Sequence, residues 1–300
     1  MASSTTKLFI ASCIAVLLAC SQNKRETITE VTIVDRVGLF ESKIWTTPKT
    51  QIEAQLRARA DNWAALPEAP QSGKPAPWQL TVSIEEAAEG SARPDSQGRI
   101  PKDQVWRHLE LLVRLQRLAA SSKTVREYEV RFTHSDNRPI LEAPKESVRQ
   151  AVDAALDLLS FDIRLSSAPY EHLKGLLRES TDKERVYVVS ELRRRKQSDS
   201  VPLLIEWLEK PDLNKDVELE IIGALIAIKD PRAVVPLINS SQRRHEVYLT
   251  QIIFGVAEIG GKQAEAYLFT VKAGHSKAMI RKHAADALSE LNRRKGKKDE

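Results

Sequence analysis

Six histidines, two cysteines and a few charge clusters are the side chains of this 300-residue chain best equipped for chemistry. The histidines stand at positions 108, 134, 172, 245, 275 and 283, with no HExxH pattern and no pair spaced i, i+4. A metal site needs three or four converging donors, so this spacing points to no metal, and each histidine reads as a surface residue. His108 shares the polar side of a strand with Glu110, and His134-Ser135-Asp136 reads as a turn at a strand end. Glu85 and Glu86 are adjacent, which on a regular strand puts them on opposite faces and excludes a glycosidase pair. No GxSxG elbow is present. Gly255-Val-Ala-Glu-Ile-Gly-Gly-Lys262 fails as a phosphate loop: the spacing is wrong, Gln263 stands where Ser or Thr is needed, and a helix precedes it. No catalytic residue and no cofactor are expected, and the chain reads as a non-enzyme.

Charge is the remaining candidate. Residues 21–169 carry 21 Lys and Arg against 21 Asp and Glu, whereas residues 170–300 carry 24 against 20. The surplus is clustered at Arg193-Arg194-Arg195-Lys196, at Arg243-Arg244 and in the tail from Arg293 to Lys298. Two readings stand side by side: a basic edge for an acidic partner, or cations that offset the dipole at helix C-termini.

The elements that must position these groups fall into two halves. Val31, Ile33, Val37 and Leu39 suggest a first strand, and Ile52, Leu56, Ala60 and Trp63 put one apolar stripe on a helix. After a proline cluster between Pro67 and Pro77, Trp78, Leu80, Val82 and Ile84 alternate with polar residues. Leu109, Leu111, Val113 and Leu115 alternate next, then Tyr128, Val130 and Phe132; Val148, Val152, Leu156 and Leu159 mark a second amphipathic helix. The expected domain at residues 31–168 is therefore an α+β sandwich in the order β-α-β-β-β-α. A long loop over Glu89–Asp103 precedes Trp106, Arg107 and His108, which look equipped for ligand contact, although Trp106 equally suits a core.

The extreme N-terminus reads as an address. One cation, Lys7, precedes an apolar run from Leu8 to Leu18, too short for the roughly 20 residues that span a bilayer and shaped like a signal peptide. Leu17-Leu18-Ala19-Cys20 resembles the lipobox of bacterial lipoproteins. The resemblance implies removal of residues 1–19 and acylation of Cys20 at the head of a tether, residues 20–30. Several acyl chains would anchor the chain firmly, where one would hold it only marginally. Ser21 after the cysteine resembles sorting to the outer membrane, with the protein on its periplasmic face.

Beyond residue 169 the alternation gives way to helical periodicity, and the pattern repeats. Val188–Leu192, Ala224–Ile228, Gly255–Ile259 and Ala287–Leu291 align, with steps of 36, 31 and 32 residues between their last positions. Such periods mean stacked helical hairpins, because one hairpin cannot bury its own apolar face. Asp230-Pro231-Arg232, followed by Val234, Leu237 and Ile238, resembles the turn and second helix of HEAT-like repeats, and Gly260-Gly261 occupies the matching turn one unit later. The resemblance spans residues 176–292 and implies an all-α HEAT-like solenoid over 169–300.

These readings converge on a lipid-anchored envelope protein that binds another envelope protein through its repeats and meets no nucleic acid, since the compartment excludes it. The alternative is an envelope enzyme, or an activator of a cell-wall enzyme, acting through the α+β domain.

Overall fold

A computed structural model describes residues 28–39, 49–61, 78–118, 124–139, 142, 144–243 and 246–296. Cys20, the signal segment, Trp63, Arg244 and the last four residues lie outside them. No helix among the described residues is long and apolar enough to cross a membrane. The chain divides into two compact units, one ending at Arg164 and the other beginning at Leu165.

The first unit follows the order β1 (Ile28–Asp35), α1 (Lys49–Asp61), β2 (Trp78–Ser91), β3 (Gln104–Leu118), β4 (Thr124–Pro139) and α2 (Pro144–Leu165). The sheet runs β1-β2-β3-β4, with β1 parallel to β2 and the other pairs antiparallel. A parallel pair needs a crossover of a dozen residues or more, which the segment carrying α1 supplies. Trp78, Leu80, Val82 and Ile84 of β2 and Leu109, Leu111, Val113 and Leu115 of β3 are buried on one face. At about 1.5–3 kcal/mol per buried large apolar side chain, this face fixes the register, since a one-residue slip would move the whole set into water. Ile52 and Leu56 of α1 and Val148, Val152, Leu156 and Leu159 of α2 are buried too. The two helices are tied at the surface by Arg59, which pairs with Asp153 and Asp157 of α2.

Three local expectations change. Val37 is exposed, because β1 ends at Asp35 and the chain turns through Gly38 at φ +68°. His134, Ser135 and Asp136 lie within β4 and not in a turn, since the β3–β4 ladder continues to Pro139. The long loop is shorter than expected, residues 92–103; the Asp95 carboxylate closes it by accepting from the amides of Gln97 and Arg99.

The second unit is entirely helical among its described residues: α3 (Tyr170–Glu179), α4 (Asp182–Arg194), α5 (Val201–Leu208), α6 (Lys215–Ile228), α7 (Val234–Arg243), α8 (Glu246–Ile259), α9 (Lys262–Gly274) and α10 (Ala278–Gly296). Its α10 extends past residue 292, the end of the HEAT-like resemblance, to Gly296. Successive even-numbered helices pack on one another, α4 on α6, α6 on α8 and α8 on α10, while α5 meets α7 and α7 meets α9. The aligned positions Val188, Ala224, Gly255 and Ala287 are buried in all four helices. Local chemistry starts the helices: Thr181 and Glu184 form a reciprocal capping box on α4, and Asn214 accepts from the amides of Asp216 and Val217 on α6. Such caps contribute about 1 kcal/mol each.

Candidate functional site

Asp230, Pro231 and Arg232 do structural work at the turn before α7. Asp230 caps a short 3-10 turn over Pro231–Ala233 by accepting from the amide of Arg232 at 2.9 Å. The Arg232 guanidinium then bonds the same carboxylate and the Ser198 carbonyl at 3.0 Å, linking this turn to the one before α5. Gly260 and Gly261, between α8 and α9, have φ of +84° and +95°, a region that favours glycine. Lys229, in the corresponding place after α6, adopts φ +59° despite its side chain.

The basic edge is largely spent inside the unit. Arg194 makes a fork onto both oxygens of Glu191, at 2.7 and 2.6 Å. Arg195 bonds Glu191 and also donates to the carbonyls of Leu165 and Ala168, at 2.8 and 2.7 Å. Glu191 is itself buried. Burial pushes its carboxyl up, but hydrogen bonds from Arg194 and then Arg195 outweigh that, and it sits below the usual carboxylate range. Lys196 follows with φ +49°. Arg243 ends α7, and Arg244 lies outside the described residues.

Arg193 takes a different course. Its guanidinium meets Glu220 of α6 at 3.1 Å and borders an open groove of about 790 Å³. The groove crosses α4, α6, α8 and α10; Gly223, Gly255 and Ala287 contribute small residues, Phe254 an apolar ring, and Arg193 and Arg294 a cation from the first and last helix. Phe254 is 42% exposed and touches the ring of His283. Gly255 is required by packing: a Cβ there would overlap the side chain of Ile226. Gly223 lets the Arg193 guanidinium approach, at 3.4 Å from where its Cβ would stand. Burial raises the Glu220 carboxyl above its ordinary range, opposed by the charge of Arg193 and a hydrogen bond from Ser190.

No protein-family model matches this chain, and a comparison with curated proteins finds no match.

In the first unit, the three residues beside the loop part company. Arg107 points into the core face, almost fully buried, where it pairs with Glu89 at 2.7 Å and donates to the Glu142 carbonyl and the Ser147 hydroxyl at 2.8 and 3.3 Å. It holds the start of α2 onto the sheet and has no ligand-facing role. Trp106 and His108 lie on the opposite face, so Trp106 is not a core residue. The Trp106 indole donates to Ser135 at 3.0 Å, carries the Arg93 guanidinium on its ring and stacks on the His108 imidazole, with planes 18° apart.

The assumption about Glu85 and Glu86 fails at a β-bulge. Ile84 pairs with Leu111 and Glu86 with Glu110, so Glu85 is an additional residue in β2. Its carboxylate meets Arg36 at 3.1 Å. Glu86 moves onto the face it would otherwise avoid, opposite Glu110 and 3.8 Å from His108 Nε2. Glu86, His108 and Glu110 thus offer three ligand atoms within 4.8 Å of one another. Sequence spacing missed this set because its members sit on two strands, and only the shifted register brings them to one face.

Proposed function

We propose that this chain is a non-enzymatic, lipid-anchored envelope protein whose helical unit is a HEAT-like solenoid serving as a docking scaffold for another envelope protein. The groove across α4, α6, α8 and α10 carries the reading. It combines a floor of small residues, an exposed Phe254 and a rim of ion-paired groups, Arg193 with Glu220 and Arg294 with Glu290, features suited to gripping a protein segment. Even-numbered helices that stack one on the next support the solenoid geometry, in which neighbouring repeats share a continuous core and an extended surface. The lipobox-like Leu17-Leu18-Ala19-Cys20 supports the anchor. The basic edge adds little to recognition, since Arg194 and Arg195 are engaged within the unit.

The test places a photo-activatable side chain at Phe254 or, as control, at Phe269, which is exposed outside the groove. The full chain is expressed in a bacterial envelope with Cys20 intact or as Cys20→Ala. The reading expects one discrete cross-linked envelope protein from position 254, none from 269, and loss of membrane fractionation in Cys20→Ala. Equal labelling from both positions removes the groove from the proposal, and detergent-dependent membrane association of Cys20→Ala removes the anchor.

A further inference from the structure

We infer that Glu86, His108 and Glu110 form a site for a divalent transition-metal ion of borderline softness, such as Zn²⁺, on the face of the sheet opposite its buried core. The donor set is one imidazole and two carboxylates, which suits Zn²⁺ better than the all-oxygen preference of Ca²⁺ or Mg²⁺. Three protein ligands leave a further position open to water or an anion.

The register explains why these three residues converge. His108 and Glu110 are two apart on β3 and therefore project from the same face. Glu86 lies directly across from Glu110, and Ala88 lies across from His108. The fourth corner of this square is thus a methyl group, which leaves space above the sheet. Ligands about 2.1 Å from a tetrahedral ion are about 3.4 Å apart. His108 Nε2 and the Glu86 carboxylate already stand at 3.8 Å, and the whole set lies within 4.8 Å, so rotation of the exposed Glu86 side chain toward the half-buried His108 and Glu110 closes the remainder.

Two further features separate this cluster from an ordinary run of surface acids. Like charges directly opposite on one sheet face destabilise it, and the pair Glu86–Glu110 exists only because the bulge at Glu85 turns Glu86 to that face. Bulges recur where a side chain must be re-aimed. The imidazole is also held in place from behind. Asn137 bonds both the amide and the carbonyl of Arg93, at 2.8 and 2.7 Å; Arg93 lies on Trp106; and Trp106 stacks on His108. The stacking orients the ring plane, and Nε2 faces Glu86. Arg131 forms an ion pair with Glu110 and so competes with a metal for one of its oxygens.

The competing interpretation is a plain ion-pair ladder in which His108 and Arg131 merely offset the two glutamates. Calorimetric titration of the full chain with Zn²⁺ alone, with thermal unfolding in parallel, separates the two. The site predicts one equivalent bound, a raised melting temperature, and loss of more than about 100-fold in affinity in His108→Ala, since even outer-sphere changes cost 10–100-fold. His172→Ala, remote in sequence on α3, should bind as the parent does. Glu86→Gln, at an exposed position with little bearing on folding, should also weaken binding, and Arg131→Gln should tighten it by removing the competitor. Absence of a one-equivalent phase in the parent overturns the site. So does a phase that survives unchanged in both His108→Ala and Glu86→Gln.

Discussion

The two units bring charged side chains together by different routes, and the difference decides what each charge does. In the sheet, partners come from neighbouring strands: Arg107 finds Glu89 eighteen residues away, and Glu86 faces Glu110 across a shifted register. In the helices, partners come mostly from the next turn: Arg194 and Arg195 fold back onto Glu191 three and four residues earlier. Short-range pairing of this kind is set by helix geometry. Cross-strand pairing depends on a register that one bulge can reset. The sheet is therefore where distant residues meet, and in the helical unit most ion pairs close within a turn.

Breaking the pair that buries the Arg107 guanidinium should have the largest effect. Arg107→Leu leaves Glu89, the Glu142 carbonyl and the Ser147 hydroxyl without their shared donor. Each acceptor left without its donor costs about 1–3 kcal/mol, and here three lose theirs together. Amide hydrogen exchange should report this as lost protection across β2, β3 and the start of α2, with α6 and α8 unchanged. Uniform loss through both units would show that they do not unfold separately.

A smaller effect is expected from crowding the helices. Gly255→Ala drives a methyl group into Ile226, and overpacking of this sort costs about 1–3 kcal/mol. Urea unfolding should place the loss in the helical unit. A neutral result would mean that α6 and α8 can separate without penalty, and the close approach would lose its significance.

The smallest and most discriminating comparison sets two glutamates of the helical unit against each other. The Glu191 carboxyl is lowered by folding, so its contribution is complete above the ordinary carboxylate range and fades as pH falls through its lowered value. The Glu220 carboxyl is raised, so the folded state holds its proton longer and stability declines as pH climbs from the ordinary range through the raised value. Glu191→Gln should therefore cost about 1–2 kcal/mol at pH 7 and progressively less in acid. Glu220→Gln should be close to neutral at pH 7, because it trades a partly buried charge for an amide. Melting curves between pH 3 and 7 settle the pair; parallel curves for both variants would refute the opposed shifts.

Much of the architecture was legible along the chain because it rests on local regularities. Alternation at Trp78–Ile84 and Leu109–Leu115 means one wet and one dry face, whatever the sheet order. The recurrence ending at Leu192, Ile228, Ile259 and Leu291 marks helices α4, α6, α8 and α10, and Asp230-Pro231 announces its own cap. Arg107 is legible as a candidate but not as a buried strut: its place in the alternation, two before Leu109, puts it on the buried face, whereas its charge argues for water.

What the residues settled by themselves is the pattern of elements: periodicity, caps and turn glycines act between near neighbours, and their energies are present before the chain closes on itself. What tertiary structure alone decided is adjacency between distant segments. An additional residue at Glu85 reverses the facing of Glu86, and no local signal encodes which side of a strand a bulge will favour, because that choice depends on the partner strand it must pair with. The candidate metal ligands and the groove that Arg193 shares with Arg294 both belong to this second class.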